Sequence, residues 1–126
     1  FTDVAPGAWY YNAVAWAYYN DVTSGTSATM FTPNAAITRQ QLVTFLYRYT
    51  VKYAPEFTGN AAPISAFPDA DSVANWAYAA MSWAVGNGLI QGNAHDNGLD
   101  YLDPNGSATR AQTATIIMRY CQLIGA

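Results

Sequence analysis

The chain has 126 residues and a formal charge of −3, from five Lys+Arg and eight Asp+Glu, with one His and one Cys. Charged residues make up 10% and apolar residues 52%, against about 25% charged in an average domain, so Asn, Thr, Ser, Tyr and Ala must cover the surface. The acidic balance excludes the basic stripe that nucleic-acid binding needs. The lone Cys121 excludes an internal disulfide framework and a cysteine-rich zinc site. No apolar run approaches the roughly 20 residues of a membrane span, so no membrane insertion is expected.

In chain order, Phe1-Thr2-Asp3-Val4 reads as the start of a module, and the whole as a piece of a longer protein. After the Pro6-Gly7 turn, a helix is predicted over about 8–20, with Trp9, Ala13, Trp16 and Ala17 gathered on one face. Trp16 is expected in the core. A loop follows with Gly25, Phe31, Pro33 and Asn34, then a helix over about 39–52 with the apolar stripe Leu42, Phe45, Leu46 and Tyr49. Pro55, Gly59, Asn60 and Pro63 mark residues 51–66 as a connector. A third helix is predicted over about 75–85, stopping at Gly86-Asn87-Gly88, where glycine suits a left-handed cap. Trp83 is its core residue. The next loop holds Gly92, Leu102, Pro104 and Asn105, and a last helix over about 110–123 carries Ala114, Ile116, Ile117 and Tyr120. Tyr10, Tyr18, Tyr19 and Tyr47 are expected at the surface.

The second half repeats the first. Trp9, Tyr11, Ala13, Trp16, Ala17, Asn20 and Gly25 recur 67 residues later, and Pro33-Asn34, Thr38-Arg39, Gln41, Thr44 and Arg48-Tyr49 recur 71 later. Phe1 and Asp3 return as Phe67 and Asp69. The drift places four extra residues between Gly92 and Pro104. This gives repeats at 1–50 and 67–126 about the connector at 51–66, each helix–loop–helix, and an all-α fold.

Thr38-x-x-Gln41 and Thr109-x-x-Gln112 have the form of capping boxes, in which Thr accepts from the N3 amide and Gln reaches back to the N-cap amide. The arginines that follow are less expected. Arg39 and Arg110 would sit beside the positive helix end, where a cation is disfavoured by roughly 0.3–1 kcal/mol. Free N–H groups with a guanidinium fork suit a carboxylate or phosphate. Two explanations stand: an internal salt bridge to Asp3, Asp69 or another carboxylate, and an external anion. Trp9 and Trp76, near the start of their helices, are open between the core and partial exposure.

Asp96, Asn97, Asp100 and Asp103 offer oxygen donors, but the EF-hand spacing and its bidentate glutamate are missing, so a solvated turn is expected and no metal. Catalysis is not expected either, and no cofactor. Cys121 lies on an apolar helix face, and the single glutamate, Glu56, falls in the connector without a recurring carboxylate partner.

Each half resembles a surface-layer homology (SLH) repeat, which reads F-x-D-V, W, a G-I-I-x-G-like turn, F-x-P and I-T-R-A-E. The matching residues are Phe1-Thr2-Asp3-Val4, Trp9, Val22-Thr23-Ser24-Gly25, Phe31-Thr32-Pro33-Asn34 and Ile37-Thr38-Arg39-Gln40-Gln41, then Phe67-Pro68-Asp69-Ala70, Trp76, Gly88-Leu89-Ile90-Gln91-Gly92, Leu102-Asp103-Pro104-Asn105 and Ala108-Thr109-Arg110-Ala111-Gln112. The resemblance implies a helical bundle, pseudo-threefold when a third repeat or another chain completes it. It implies an extracellular module that anchors a bacterial surface protein to the cell wall. Its partner would be an anionic secondary cell-wall polysaccharide, often bearing a pyruvate ketal, with protein–protein assembly as the alternative. The motif arginine is a ligand contact in the family and falls on Arg39 and Arg110. Thr38 and Thr109 would order the helix starts, while Gly25 and Gly92 would admit the sugar to the backbone. Departures are Gln41 and Gln112 in place of glutamate, Ala108 in place of isoleucine, and two repeats in place of three, which raises the expectation of either a homo-oligomer or a fragment of a longer SLH region.

Overall fold

A computed structural model describes residues 1–27, 29–32 and 35–125. The Pro33-Asn34 motif lies outside the described residues. Among the described residues the chain is mostly helical, as expected, with four α-helices: α1 (Tyr11–Tyr19), α2 (Arg39–Tyr53), α3 (Tyr78–Gly86) and α4 (Arg110–Ile124). A two-stranded hairpin, β1 (Asn93–Ala94) and β2 (Asp100–Tyr101), pairs antiparallel with Asn93 opposite Tyr101. The chain forms two compact units, Phe1–Ala36 and Ile37–Ala126. Helices α1 and α3 start 67 residues apart and α2 and α4 start 71 apart, the offsets of the sequence repeat.

The first unit holds one helix. α1 starts later than the predicted 8, because residues 5–10 close successive turns, Ala8 N–H on Ala5 O and Tyr11 N–H on Ala8 O. It ends in a Schellman pair, Asp21 N–H on Tyr18 O and Val22 N–H on Ala17 O, with Asp21 at φ 61°. Phe1 packs edge-on against Tyr18 at 5.2 Å and tilted against Phe31 at 5.5 Å. Asp3 fixes the loop by accepting from Phe31 N–H at 2.8 Å and Thr32 N–H at 2.6 Å. The Phe31 bond chiefly, with Thr32 added, holds the Asp3 carboxyl below its ordinary value. The Trp16 expectation fails: its side chain is 47% exposed, because among the described residues this unit has no second helix to lay across it.

The second unit has the larger core. α2 packs along α3, and α4 adds Ile116 and Tyr120. Trp83 is fully buried, tilted against Tyr47 at 5.4 Å and edge-on to Tyr120 at 6.2 Å, and its indole N–H donates to Phe57 O at 2.8 Å. Connector residue Ile64 is buried in the same cluster. The buried stripe of α2 is rotated from the predicted one. Leu42, Val43 and Thr50 are inside, Tyr47 joins the core, and Tyr49 is exposed, since the contact with α3 recruits the Val43–Tyr47–Thr50 line. On α4, Ile117 and Ala114 face out for the matching reason that no helix covers that side within the unit.

Before α3, Asn75–Ala77 forms a 3₁₀ turn, so the α-helix proper begins three residues later than predicted. The helix runs through Gly86, and the left-handed residue is Gly88 at φ 74°, completing a second Schellman pair with Leu89 N–H on Ala84 O. Gly86 has a different job: a Cβ there would overlap Asn60 O of the connector.

Candidate functional site

Both capping boxes form. Thr38 Oγ1 accepts from Gln41 N–H at 3.2 Å while Gln41 Oε1 accepts from Thr38 N–H at 2.9 Å, and Thr109 and Gln112 repeat this at 3.0 and 3.1 Å. There the likeness ends. At α2 the loop of residues 102–108 closes over the helix start. Arg39 N–H donates to Gly106 O at 2.9 Å, Gln40 N–H to Pro104 O at 3.0 Å, and Ala108 N–H to Ile37 O at 2.9 Å. The first amides of α2 are therefore satisfied inside the protein, and the expected set of free N–H donors beside Arg39 is not there. An anion at this end has the guanidinium to meet it, and not the helix terminus.

Arg39 itself is 4% exposed. Its Nε–H donates to Leu102 O at 2.8 Å. Among the described residues no carboxylate lies within 4.0 Å of it, the one ion pair found at that distance being His95 with Asp103. Burial pulls the Arg39 pKa below its ordinary value, while the charges of Asp103 and Asp69 push it back. A guanidinium stays protonated all the same, so among the described residues a buried positive charge stands without a contacting counter-ion, an arrangement that is costly.

The candidate partners are engaged elsewhere. Asp69 accepts from Leu102 N–H at 2.9 Å and Asp103 N–H at 2.8 Å, the same loop clasp that Asp3 makes in the first unit. Asp103 takes His95 Nε2 at 3.0 Å and Asn93 Nδ2–H at 3.0 Å, and His95 stacks on Tyr101 at 3.8 Å. Burial raises the Asp103 carboxyl, but the bonds from His95 and Asn93, with the charges of His95 and Arg39, outweigh it and hold it below its ordinary value. The 95–99 segment is a hairpin tip closed by His95 N–H on Leu99 O.

Two open cavities have Arg39 in their walls. One, of about 270 Å³, is walled by Arg39, Arg119, Gln91, Asn93, Gln112 and Thr115 together with apolar atoms. The other, of about 360 Å³, has Arg39, Asp69, Asp103, Asn105 and Ser107 in its wall. Gly92, at φ 90°, lies in the first wall, where a Cβ would crowd Asp100 Cβ and the Phe67 ring. Gly25, at φ 82°, makes the corresponding turn in the first unit, closed by Phe1 and Met30 O. Arg110 is exposed at the start of α4 and borders neither cavity. Trp9 is 94% exposed and Trp76 about half exposed, both at the entry to a first helix and neither in a cavity wall.

Two residues of this region, Gln40 and Arg119, were not among the candidates the sequence suggested. The buried Gln40 ties the site together, its Nε2–H on Asn105 Oδ1 at 2.9 Å and its Oε1 accepting from Ala74 N–H at 3.0 Å. Its repeat counterpart is Ala111, so the signal was a difference between copies. For Arg119 the signal was recurrence, as Arg48-Tyr49 and Arg119-Tyr120.

The comparisons with known proteins agree with this architecture. A family model described as "S-layer homology domain" matches residues 1–43 and 66–114. The chain belongs to the S-layer homology family. It is 36% identical over its full length to the surface-layer 125 kDa protein of Lysinibacillus sphaericus, covering 10% of that protein. It is 32% identical over 93% of its length to exoglucanase XynX of Acetivibrio thermocellus and 31% identical over 94% to a cell surface protein of Thermoanaerobacter kivui, covering 10% and 15% of them. The chain thus spans a small part of each relative. As a member of this family it is a cell-wall anchoring module and works at the bacterial cell surface. Among the described residues no helix is long and apolar enough to cross a membrane.

Proposed function

We propose that this module holds its parent protein to the wall without catalysis, by binding an anionic secondary cell-wall polysaccharide through the Arg39 guanidinium. The observation that carries the proposal is a buried arginine beside two open cavities, with no carboxylate of the described residues within 4.0 Å. A pyruvate ketal supplies one compact carboxylate, which a guanidinium fork binds in bidentate fashion. Asp69 supports the site by clasping its loop, and Asp3 would order the corresponding loop of the first unit in the same way. Thr38 and Thr109 order the helix starts, and Gly92 keeps the backbone close to the sugar. Gly25, Trp9 and Trp76 would contact sugar further along the polymer. Arg110 takes up the same role only when a further loop, from another repeat or another copy, closes over α4 as residues 102–108 close over α2. Weak single contacts along one polymer would then add through avidity.

The test is a pull-down with purified wall sacculi before and after chemical removal of pyruvate and of the polymer. Retention by native walls and release by depyruvylated walls support the proposal. Equal retention by walls stripped of polymer would favour protein–protein assembly, the reading that the exposed aromatics Trp9 and Tyr19 speak for.

A further inference from the structure

We infer that the anion reaches Arg39 from one side only, through the cavity shared with Arg119, and that Arg119 is the second cationic contact of the site. This rests on Arg39 being the anion-binding group and says where and how it is met.

The two cavities differ in charge. The larger one sets the Asp69 and Asp103 carboxylates beside Arg39. An incoming carboxylate there would face two like charges in a partly desolvated space, where repulsion amounts to more than it would in water. The smaller cavity has no acidic residue in its wall, and Arg39 and Arg119 are its ionisable side chains. Its volume, about 270 Å³, falls just below the roughly 300–1,000 Å³ of drug-sized pockets, which suits one sugar headgroup.

Arg119 is poised and lightly held. Its Nη1 donates to Leu89 O at 3.4 Å and its Nη2 to Gln91 Oε1 at 3.3 Å, both long for an N–H bond. Each Nη carries a second N–H, so the fork has donors to spare. Gln112 completes the wall. Its Oε1 is committed to Thr109 N–H at 3.1 Å, so what remains is an NH₂ donor. A glutamate in the same capping role would instead put a carboxylate there. The neutral Gln112 keeps this cavity free of negative charge, and that favours a ligand with anionic oxygens over a neutral sugar. A ketal carboxylate and a sugar phosphate share that chemistry.

Calorimetric titration separates the possibilities. The probes are the 4,6-pyruvate ketals of methyl N-acetylglucosaminide and methyl N-acetylmannosaminide, their methyl esters, and the two 6-phosphates. Ketal binding that the esters lose is expected, and phosphate binding in place of ketal binding would reassign the anion to a phosphate while leaving the cavity in place. Arg119→Gln should lower affinity roughly tenfold, with Arg119→Lys recovering part of it. Gln112→Glu, which keeps the capping box, should also lose roughly tenfold. Ser72→Asp, on the wall of the larger cavity, should change affinity less than about twofold. If Arg39→Gln abolishes binding while Arg119→Gln and Gln112→Glu match the parent, or if Ser72→Asp weakens binding as Gln112→Glu was expected to, the route proposed here is wrong and the Arg39 reading stands. If Arg39→Gln binds like the parent, both fall. Melting curves of each variant separate lost binding from lost folding.

Discussion

Helices α2 and α4 open with the same three signals, a threonine cap, an arginine and a glutamine that closes the capping box, yet only one of the two arginines is buried and borders the two cavities. At α2 a loop from the other repeat lies across the first turn, takes up its amides and buries Arg39 between two cavities. At α4 the second unit has no such loop, and Arg110 stands in solvent. The first helices differ in the same way. Trp83 of α3 is sealed under α2 and α4, while Trp16 of α1 is half exposed in a unit with no second helix. A repeat motif therefore specifies a helix start, and the neighbouring repeat decides whether that start is covered.

The comparison can be broken most forcefully at the tryptophans. Trp83→Ala should cost about 3–5 kcal/mol, as a large buried aromatic with a satisfied N–H, whereas Trp16→Ala should cost about 1 kcal/mol or less. Chemical denaturation of the two variants reads the difference, and equal losses would mean that α1 is as well covered as α3. Next come the arginines. Arg39→Gln should weaken binding to pyruvylated polymer by roughly 10- to 100-fold, and Arg110→Gln by less than about twofold, measured by calorimetry on the same preparation. The caps give a smaller contrast. Thr38→Ala should cost about 1–2 kcal/mol, because its helix start also anchors the loop, and Thr109→Ala about 0.5 kcal/mol, because water competes at an open terminus.

The smallest expected effect is on pH dependence. Asp3 and Asp103 both have folded pKa values below the ordinary carboxylate value near 3.8. The stability they contribute is then complete above that value and drains away as the pH falls through their lower folded values. Shifts of the Phe31 backbone amide, bonded to Asp3, and of the Asn93 side-chain amide, bonded to Asp103, should hold steady down to about pH 4 and move only below it.

The repeat, the helices and the capping boxes were legible in the sequence because each is written locally. Helical spacing, Thr-x-x-Gln and the two constant offsets need no partner to be read. What was hidden depends on which repeat packs on which. The rotated stripe of α2 follows from its contact with α3, across the connector. Gln40 looked like an ordinary helix residue until its two bonds, to Asn105 and Ala74, placed it under the loop. The salt bridge considered for Arg39 did not form because Asp69 is held by backbone amides of the loop, a competition that spacing alone does not reveal.

The most direct measurement is an NMR titration of the arginine Nε–H signals with pyruvylated wall polysaccharide. Arg39 Nε–H, already tied to Leu102 O, should be visible without ligand. Saturable shifts at Arg39 and Arg119, with Arg110 unmoved, are the predicted result. Saturable binding that leaves Arg39 unshifted would contradict the account.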